Sequence, residues 1–497
     1  MVSRIITPES AGTAQAQPVP APTLGLNTRD HFTNLQPNEA RELVNWLPDV
    51  GVCKVRPGYE AWCDTATGAG HPVQTLVRYV SGSTQKLMAA SNGSLFEVLS
   101  GTPSTLASGY TNNRWSTDFF NGYVFGVNGS DTPWRWQPGG AGLVATGFSG
   151  PTISQMRTIK SVQNRLWATV VNSGDVWYGG SMYVTGPFTV FQSSQIADGG
   201  YCMGVFPWRD TTCIVMSTGQ VLVYQGDPAT SFSLISKYYA PPLVEYDAAV
   251  KLGGELVLIT TSGPISMDVI SAGLAFNLEA LGNWGKISPS WQADYKTYSS
   301  NSGWFGKFIN GLLYFNIPNG LTPSKQYVFN TRNQGWTTYQ DLAIASMEEV
   351  GSTIYFGSES DGNVYVHAGG LDGANQISTL ARPGFSYFGS PGINKIYSRV
   401  KPNVFSAGLL SAQVAIDTDF TNTEISGATY DIGTHGGSTP WDSPWDSDWS
   451  DQPVSEPKWI GVAGKGRAAS PVMRTYSTAD DVQWYSTEVL GKPAGPI

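Results

Sequence analysis

Between about residues 75 and 370, short apolar runs alternate with polar, glycine-containing turns. Each repeat carries an apolar strand, a tight turn, and a second strand rich in Val, Tyr or Trp. The repeats begin at Leu87, Tyr123, Arg165, Cys213, Leu256, Leu312 and Thr353. Their centres read Asn92-Gly93, Asn128-Gly129, Ser173-Gly174, Thr218-Gly219, Ser262-Gly263, Asn319-Gly320 and Asp361-Gly362. Glycine, often after Asn or Asp, supplies the positive φ that tight hairpins require. The spacing runs from about 36 to 56 residues and mostly lies near 42. That is the size of a four-stranded propeller blade. One blade cannot bury both of its faces, whereas radial stacking hides each face against the next blade. The pattern therefore predicts an all-β fold whose body is propeller-like, with about seven blade units. Two β-sandwiches built from regular hairpins are the competing architecture.

The flanks differ from this body. Residues 1–24 are rich in Ala, Pro, Thr and Gln and read as a flexible N-terminal arm. Residues 25–74 form a lead-in segment. Within it the stretch from Pro37 to Trp46 predicts a short helix, capped by Asn34 or Asn38 and stopped by Pro48. Arg56-Pro57-Gly58 predicts a turn. The propeller-like domain is expected over 75–377. Past it, the run from Lys395 and the run near the C-terminus alternate apolar and polar residues, as half-buried strands do. They predict a sandwich-like C-terminal β-domain over 378–497, with a Trp/Asp-rich insert at 436–452.

Composition sharpens this reading. The 497 residues include 57 Gly, 31 Pro, 17 Trp, 23 Tyr and 20 Phe, the mixture of pleated surfaces and turns. Only 13% are charged, about half of what an ordinary globular protein carries. The net charge of −9 argues against tight DNA binding by the chain as a whole, though not against a wall past which DNA slides. Cys53, Cys63, Cys202 and Cys213 are too sparse for a disulfide framework and are expected as free, buried thiols. The N-terminus lacks a secretory apolar core, and no run is long enough to span a membrane. A protein made and kept soluble in a cytoplasm is expected.

The chemistry-bearing residues are scattered. His31, His71, His367 and His435 lie far apart in sequence, and the zinc-protease, phosphate-loop and serine-elbow motifs are absent. No catalytic residue, cofactor or metal site is expected. A glycosidase would need paired carboxylates, for which Asp442, Asp446, Asp448 and Asp451, with Asp417 and Asp419, are the nearest candidates. Asp beside Ser, Pro and Trp is ordinary turn material. Trp441, Trp445 and Trp449 stand four residues apart, where Pro444 opposes a helix. They either pack on their own domain or anchor a partner. A receptor- or carbohydrate-binding propeller of a tail is the alternative function that these tryptophans raise.

Several segments carry a family texture. The segment GLNTRDHFTNLQPNEARELVNWLPDVGVCKVRPGY, from Gly25, joins a Gly-Leu-Asn, an Asn-Trp followed by Pro, and an Arg-Pro-Gly. The stretches SVQNRLWATVVNSGDVWYGGSMYVTGPFTVF and FNTRNQGWTTYQ read as strand, turn and strand. GSPGINKIYSRVKPNVFSAGLLSAQVAIDTDF adds Lys395 and Asp419-Phe420 as landmarks. In this order they resemble the tail nozzle, or packaged-DNA stabilisation protein, of short-tailed phages. The resemblance covers about three quarters of the chain and omits the 436–452 insert and the N-terminal arm. It implies a non-enzymatic structural protein of the virion, in the phage tail, assembled in the host cytoplasm. It implies a homohexameric ring below the portal–adaptor complex, contacting the head-to-tail adaptor, a tail spike or fibre, and a tip plug or needle. Double-stranded DNA would be held before ejection and then pass through the ring without sequence recognition. An acidic, charge-poor chain is consistent with a sliding conduit and large permanent interfaces.

Overall fold

The computed structural model describes residues 13–63, 70–139, 142–320, 323–408, 410–432 and 458–496. The chain is nearly all β and divides into two compact units. A terminal unit comprises Met1–Tyr59, Phe329–Tyr339 and Ala368–Ile497. An inserted unit comprises Glu60–Val328 and Gln340–His367.

The inserted unit is propeller-like, a succession of small antiparallel meanders. The first runs Thr75–Ser81, Thr84–Ser91, Ser94–Glu97, Ser104–Ser108. The second runs Ser116–Phe120, Tyr123–Val127, Trp134–Trp136, Val144–Ala145. The third is Met156–Val162, Arg165–Val170, Val176–Tyr178, Thr189–Phe191, and the fourth Cys202–Trp208, Thr211–Met216, Gln220–Gln225, Ser233–Tyr239. Next come Ala249–Leu252, Glu255–Thr260 and Gly263–Ser266, then Phe305–Ile309, Leu312–Ile317 and Lys325–Asn330. The last meander is Ile344–Val350, Thr353–Ser358, Val364–Val366, and its fourth strand is Glu60–Cys63, from the start of the unit. Six of the seven Gly-containing dipeptides singled out in the sequence fall between two successive strands of a meander, and in the seventh Gly263 opens the strand Gly263–Ser266.

Strand periodicity explains why these sheets stack. Neighbouring residues point to opposite faces of a sheet. In the first meander Leu76, Leu87 and Phe96 join Cys63, Val350, Tyr355 and Val364 in one apolar core. Val77, Met88 and Leu95, one residue along, join Trp115, Val124 and Trp134 in the next. Further cores link the second meander to the third through Phe125, Ile159 and Leu166, and the third to the fourth through Trp167, Val205 and Ile214. Both faces are therefore buried, and the core shared with Cys63 and Val364 joins the first meander to the last.

The fifth meander shows only three strands and continues into the helix Met267–Ser271. The helix Ser288–Tyr298 follows, with Pro289 in its first turn and Trp291 buried. Neither helix was expected from the repeat pattern.

In the terminal unit, one sheet orders Trp46–Asp49, Val52–Val55, Val482–Pro496, Ile393–Ser406 and Ile460–Gly466. The other orders Gly335–Tyr339, Gly25–Leu26, Glu39–Val44, Asn375–Pro383, Ala469–Ser477, Leu410–Thr418 and Tyr430–Asp431. Three expectations are corrected here. The helix expected between Pro37 and Trp46 is the strand Glu39–Val44. Its Glu, Ala and Leu favour helices, but long-range pairing overrides that preference. It pairs with Asn375–Pro383, Arg41 is bound to Asp417, and Arg382 reaches Glu42 at 3.1 Å. The arm is not wholly loose either, because Gln15–Pro20 pairs with Val482–Pro496 and buries Val19. Finally, residues 25–59 fold with the C-terminal segment instead of forming a separate lead-in.

The four cysteines are buried thiols, and burial pushes those of Cys202 and Cys213 up to about 12.

Candidate functional site

In the terminal unit, the residues that carry the family texture hold structural positions, buried from Gly25 to Lys395, with Asp419 exposed and Phe420 half-buried. Gly25, at φ +79°, lies so close to the next strand that a Cβ would sit 2.5 Å from the Trp336 nitrogen. Asn27 is buried and donates to Asp30 and Glu39 at 2.8 and 3.0 Å. Asn45 adopts φ 58°, donates to the Ser378 carbonyl at 2.7 Å and accepts from Arg56 Nε at 2.9 Å. Trp46 is fully buried, its ring 5.5 Å from that of Trp484. Arg56 makes a two-pronged ion pair with Asp372, at 2.7 and 2.6 Å, with both side chains buried. A Cβ on Gly58 would overlap the Leu371 carbonyl oxygen at 1.9 Å. Lys395 donates to the carbonyls of Tyr387 and Ser390 at 2.9 and 2.8 Å. Asp419 accepts from the Arg467 nitrogen at 2.7 Å, and Phe420 packs on Phe385 with centroids 4.7 Å apart.

The inserted unit contains an open polar cavity of about 500 Å³. Its walls come from the inner strands Thr75–Ser81, Ser116–Phe120, Met156–Val162, Ala249–Leu252, Phe305–Ile309 and Ile344–Val350, with their preceding residues. Six cationic side chains line it (Arg78, Arg114, Arg157, Lys160, Lys251 and Lys307) against three carboxylates, Glu245, Asp247 and Glu348. This cationic excess sits in a chain of net charge −9.

The carboxylates are committed to neighbours. Glu348 meets Lys307 at 2.7 Å and Arg78 at 3.6 Å. Asp247, held at φ 62°, meets Lys160 at 2.8 Å and accepts from Ser116 Oγ at 2.8 Å. Glu245 accepts from the Gly303 and Trp304 nitrogens at 2.9 and 3.0 Å and meets Arg157 at 3.7 Å. Desolvation would lower the Lys160 ammonium, but Asp247 and Asp118 raise it above its ordinary value. Among the described residues, no carboxylate oxygen lies within ion-pair distance of Arg114 or Lys251. Arg114 donates to the Ser302 carbonyl at 3.1 Å. Burial holds its guanidinium below the usual arginine range, Glu245 opposes that shift, and the neighbouring Arg157 reinforces it.

Arg114 also lines a second, smaller cavity of about 200 Å³ with Asn301, Asn316 and Glu359. Burial pushes the Glu359 carboxyl up to about 7, against the bond it accepts from the Ser324 nitrogen at 3.0 Å.

The residues singled out for chemistry fare differently. Trp441, Trp445 and Trp449 lie outside the described residues, as do Asp442, Asp446, Asp448, Asp451 and His435. Asp417 is fully buried between Arg41 and Arg382, and Asp419 caps backbone nitrogens, so both serve structure. His31 bonds Thr33, and His367 is buried. Among the described residues no group of His, Cys, Asp or Glu is placed to hold a metal. The cavity was not anticipated. Its signal was present as a cation five to nine residues ahead of five hairpins, at Arg78, Arg114, Arg157, Lys251 and Lys307.

No family model matches the chain, and no curated protein matches it. Among solved structures it is similar to the computationally designed Ika8 protein, at 11% identity and a TM-score of 0.36. That match covers 69% of this chain and 98% of the other. It is also similar to the WD40 β-propeller domain of Doa1, at 12% identity and a TM-score of 0.38, covering 62% of this chain and 96% of that domain.

Proposed function

We propose that this protein is the tail nozzle of a short-tailed phage. On this reading six copies form a ring below the portal–adaptor complex. The ring holds the packaged genome and then guides double-stranded DNA out through its channel. The protein is a structural part of the virion, assembled in the host cytoplasm, with no catalytic residues. The inserted unit is a propeller of seven blades, closed by Glu60–Cys63, and the terminal unit is a sandwich of two sheets.

One observation carries the reading. The residues on which the family resemblance rests, from Gly25 and Asn27 through Arg56 and Gly58 to Asp419 and Phe420, occupy packing, turn and hydrogen-bonding positions. Shared texture at such positions reflects a shared framework. The surface adds support. Leu274, Phe276 and Leu278 are 42%, 69% and 39% exposed within five residues, and Met182 and Tyr183 are 50% and 66% exposed. Exposed apolar side chains of this size suit permanent subunit contacts.

Electron-microscope images of the protein mixed with its head-to-tail adaptor test the proposal. Six-fold rings seated on the adaptor are expected. Single, unassociated particles under the same conditions would overturn it.

A further inference from the structure

We propose that the cavity of the inserted unit binds a small oxyanion, a phosphate or sulfate group, with Arg114, Arg157 and Lys251 as its ligands. Every residue of this site belongs to a single chain.

Each carboxylate in the wall has its own cation or backbone donors, so the acids orient cations and leave little negative charge uncompensated. Glu348 holds Lys307 and Arg78 together, and Asp247 fixes Lys160. Arg157 is steered by Glu245 at 3.7 Å and by its donation to the Asn128 carbonyl at 2.9 Å. Arg114 and Lys251 remain without a carboxylate in ion-pair range among the described residues, and both line the same space. Arg114 is half-buried beside Arg157, a like-charged neighbour. Glu245 compensates part of that repulsion, through its 3.7 Å pair with Arg157 and its attraction for Arg114. Guanidinium groups also offer the planar, forked donors that match phosphate and sulfate oxygens. A concave wall of one dominant sign also concentrates the field of its charges and draws in counter-ions. The volume of about 500 Å³ exceeds what a bare anion fills, so it also admits a small molecule that carries such a group.

The test is calorimetric titration and thermal unfolding of the full chain with inorganic phosphate, with a hexose phosphate, and with chloride at matched ionic strength. Both phosphate probes should bind one per chain and raise the melting temperature beyond the chloride control. Arg114→Gln should weaken phosphate binding roughly tenfold or more, since it removes a charge-assisted contact. Its melting temperature in chloride should change little, because the substitution relieves the repulsion from Arg157 and also removes the attraction to Glu245. Lys251→Gln, on an exposed side chain, should weaken binding severalfold without affecting folding. Tighter binding of the hexose phosphate assigns the site to a phosphorylated small molecule, and tighter binding of inorganic phosphate assigns it to the free anion. Either ranking supports the site. Phosphate shifts no larger than those of chloride, or unchanged affinity in both variants, would overturn it.

Discussion

Arg56 and Asp372 show how single residues hold the terminal unit together. Separated by more than three hundred positions, they form a buried, two-pronged ion pair. Removing one partner strands a buried charge, whereas replacing both with apolar groups does not. Arg56→Met should therefore cost about 3–5 kcal/mol in urea unfolding. Arg56→Met combined with Asp372→Leu should recover most of that loss, and equal destabilisation in the single and double variants would refute the account. Glu359 makes the opposite kind of statement. Its carboxyl is raised from 4.5 to about 7 by burial, so the folded state holds its proton more tightly than the unfolded state. The contribution is fully present below pH 4.5 and is lost as pH rises through 7. Glu359→Gln should flatten the fall in stability across that window, measured as melting temperature against pH. At this scale the sequence was informative where the backbone itself imposed the residue. The tight turn at Asn92-Gly93, with both residues at positive φ, could be read directly. Arg56-Pro57-Gly58, where a turn is expected, is irregular backbone. The partner of Arg56 could not be read, because ion pairs across hundreds of residues leave no local trace.

Local period governs the elements, and here the sequence was most legible. The hairpins centred on Asn92-Gly93 and Thr218-Gly219 were readable because turn chemistry and apolar alternation agree there. The strand Glu39–Val44 was misread as helical because its residues favour helix while its pairing partners lie far along the chain. The helix Ser288–Tyr298 was not legible because only its Ser288 and Trp291 are buried, so it carries no apolar stripe of helical period. Least visible was Glu60–Cys63, a short strand that completes a sheet whose other strands lie near residue 350. Its Cys63 is buried in the core shared by the first and last meanders. Cys63→Asp should place an uncompensated charge there and destabilise the protein by roughly 2 kcal/mol or more. Hydrogen exchange should then quicken first in Glu60–Cys63 and Val364–Val366. Unchanged protection in both strands would mean that this strand does not close the unit.

For the whole molecule, the all-β, propeller-like character followed from an even march of hairpins, since that pattern has few ways to bury both faces of every sheet. The insertion of one unit within another did not. Residues 25–59 and 368–497 share a unit only because strands from both ends of the chain pair, and pairing over that distance has no periodic signature. The cationic cavity was hidden for a related reason. Its residues come one or two at a time from successive meanders, and only closure of the unit brings them together. The proposed function also belongs to this scale, because a conduit exists only as an assembly. Closed rings arise from heterologous contacts whose rotation closes. Light-scattering mass of the 497-residue chain, across a concentration series with and without its adaptor, tests that claim most directly. The account predicts particles holding six 53.4 kDa chains once the adaptor is present. A single-chain mass at every concentration, with the adaptor and without it, would contradict it.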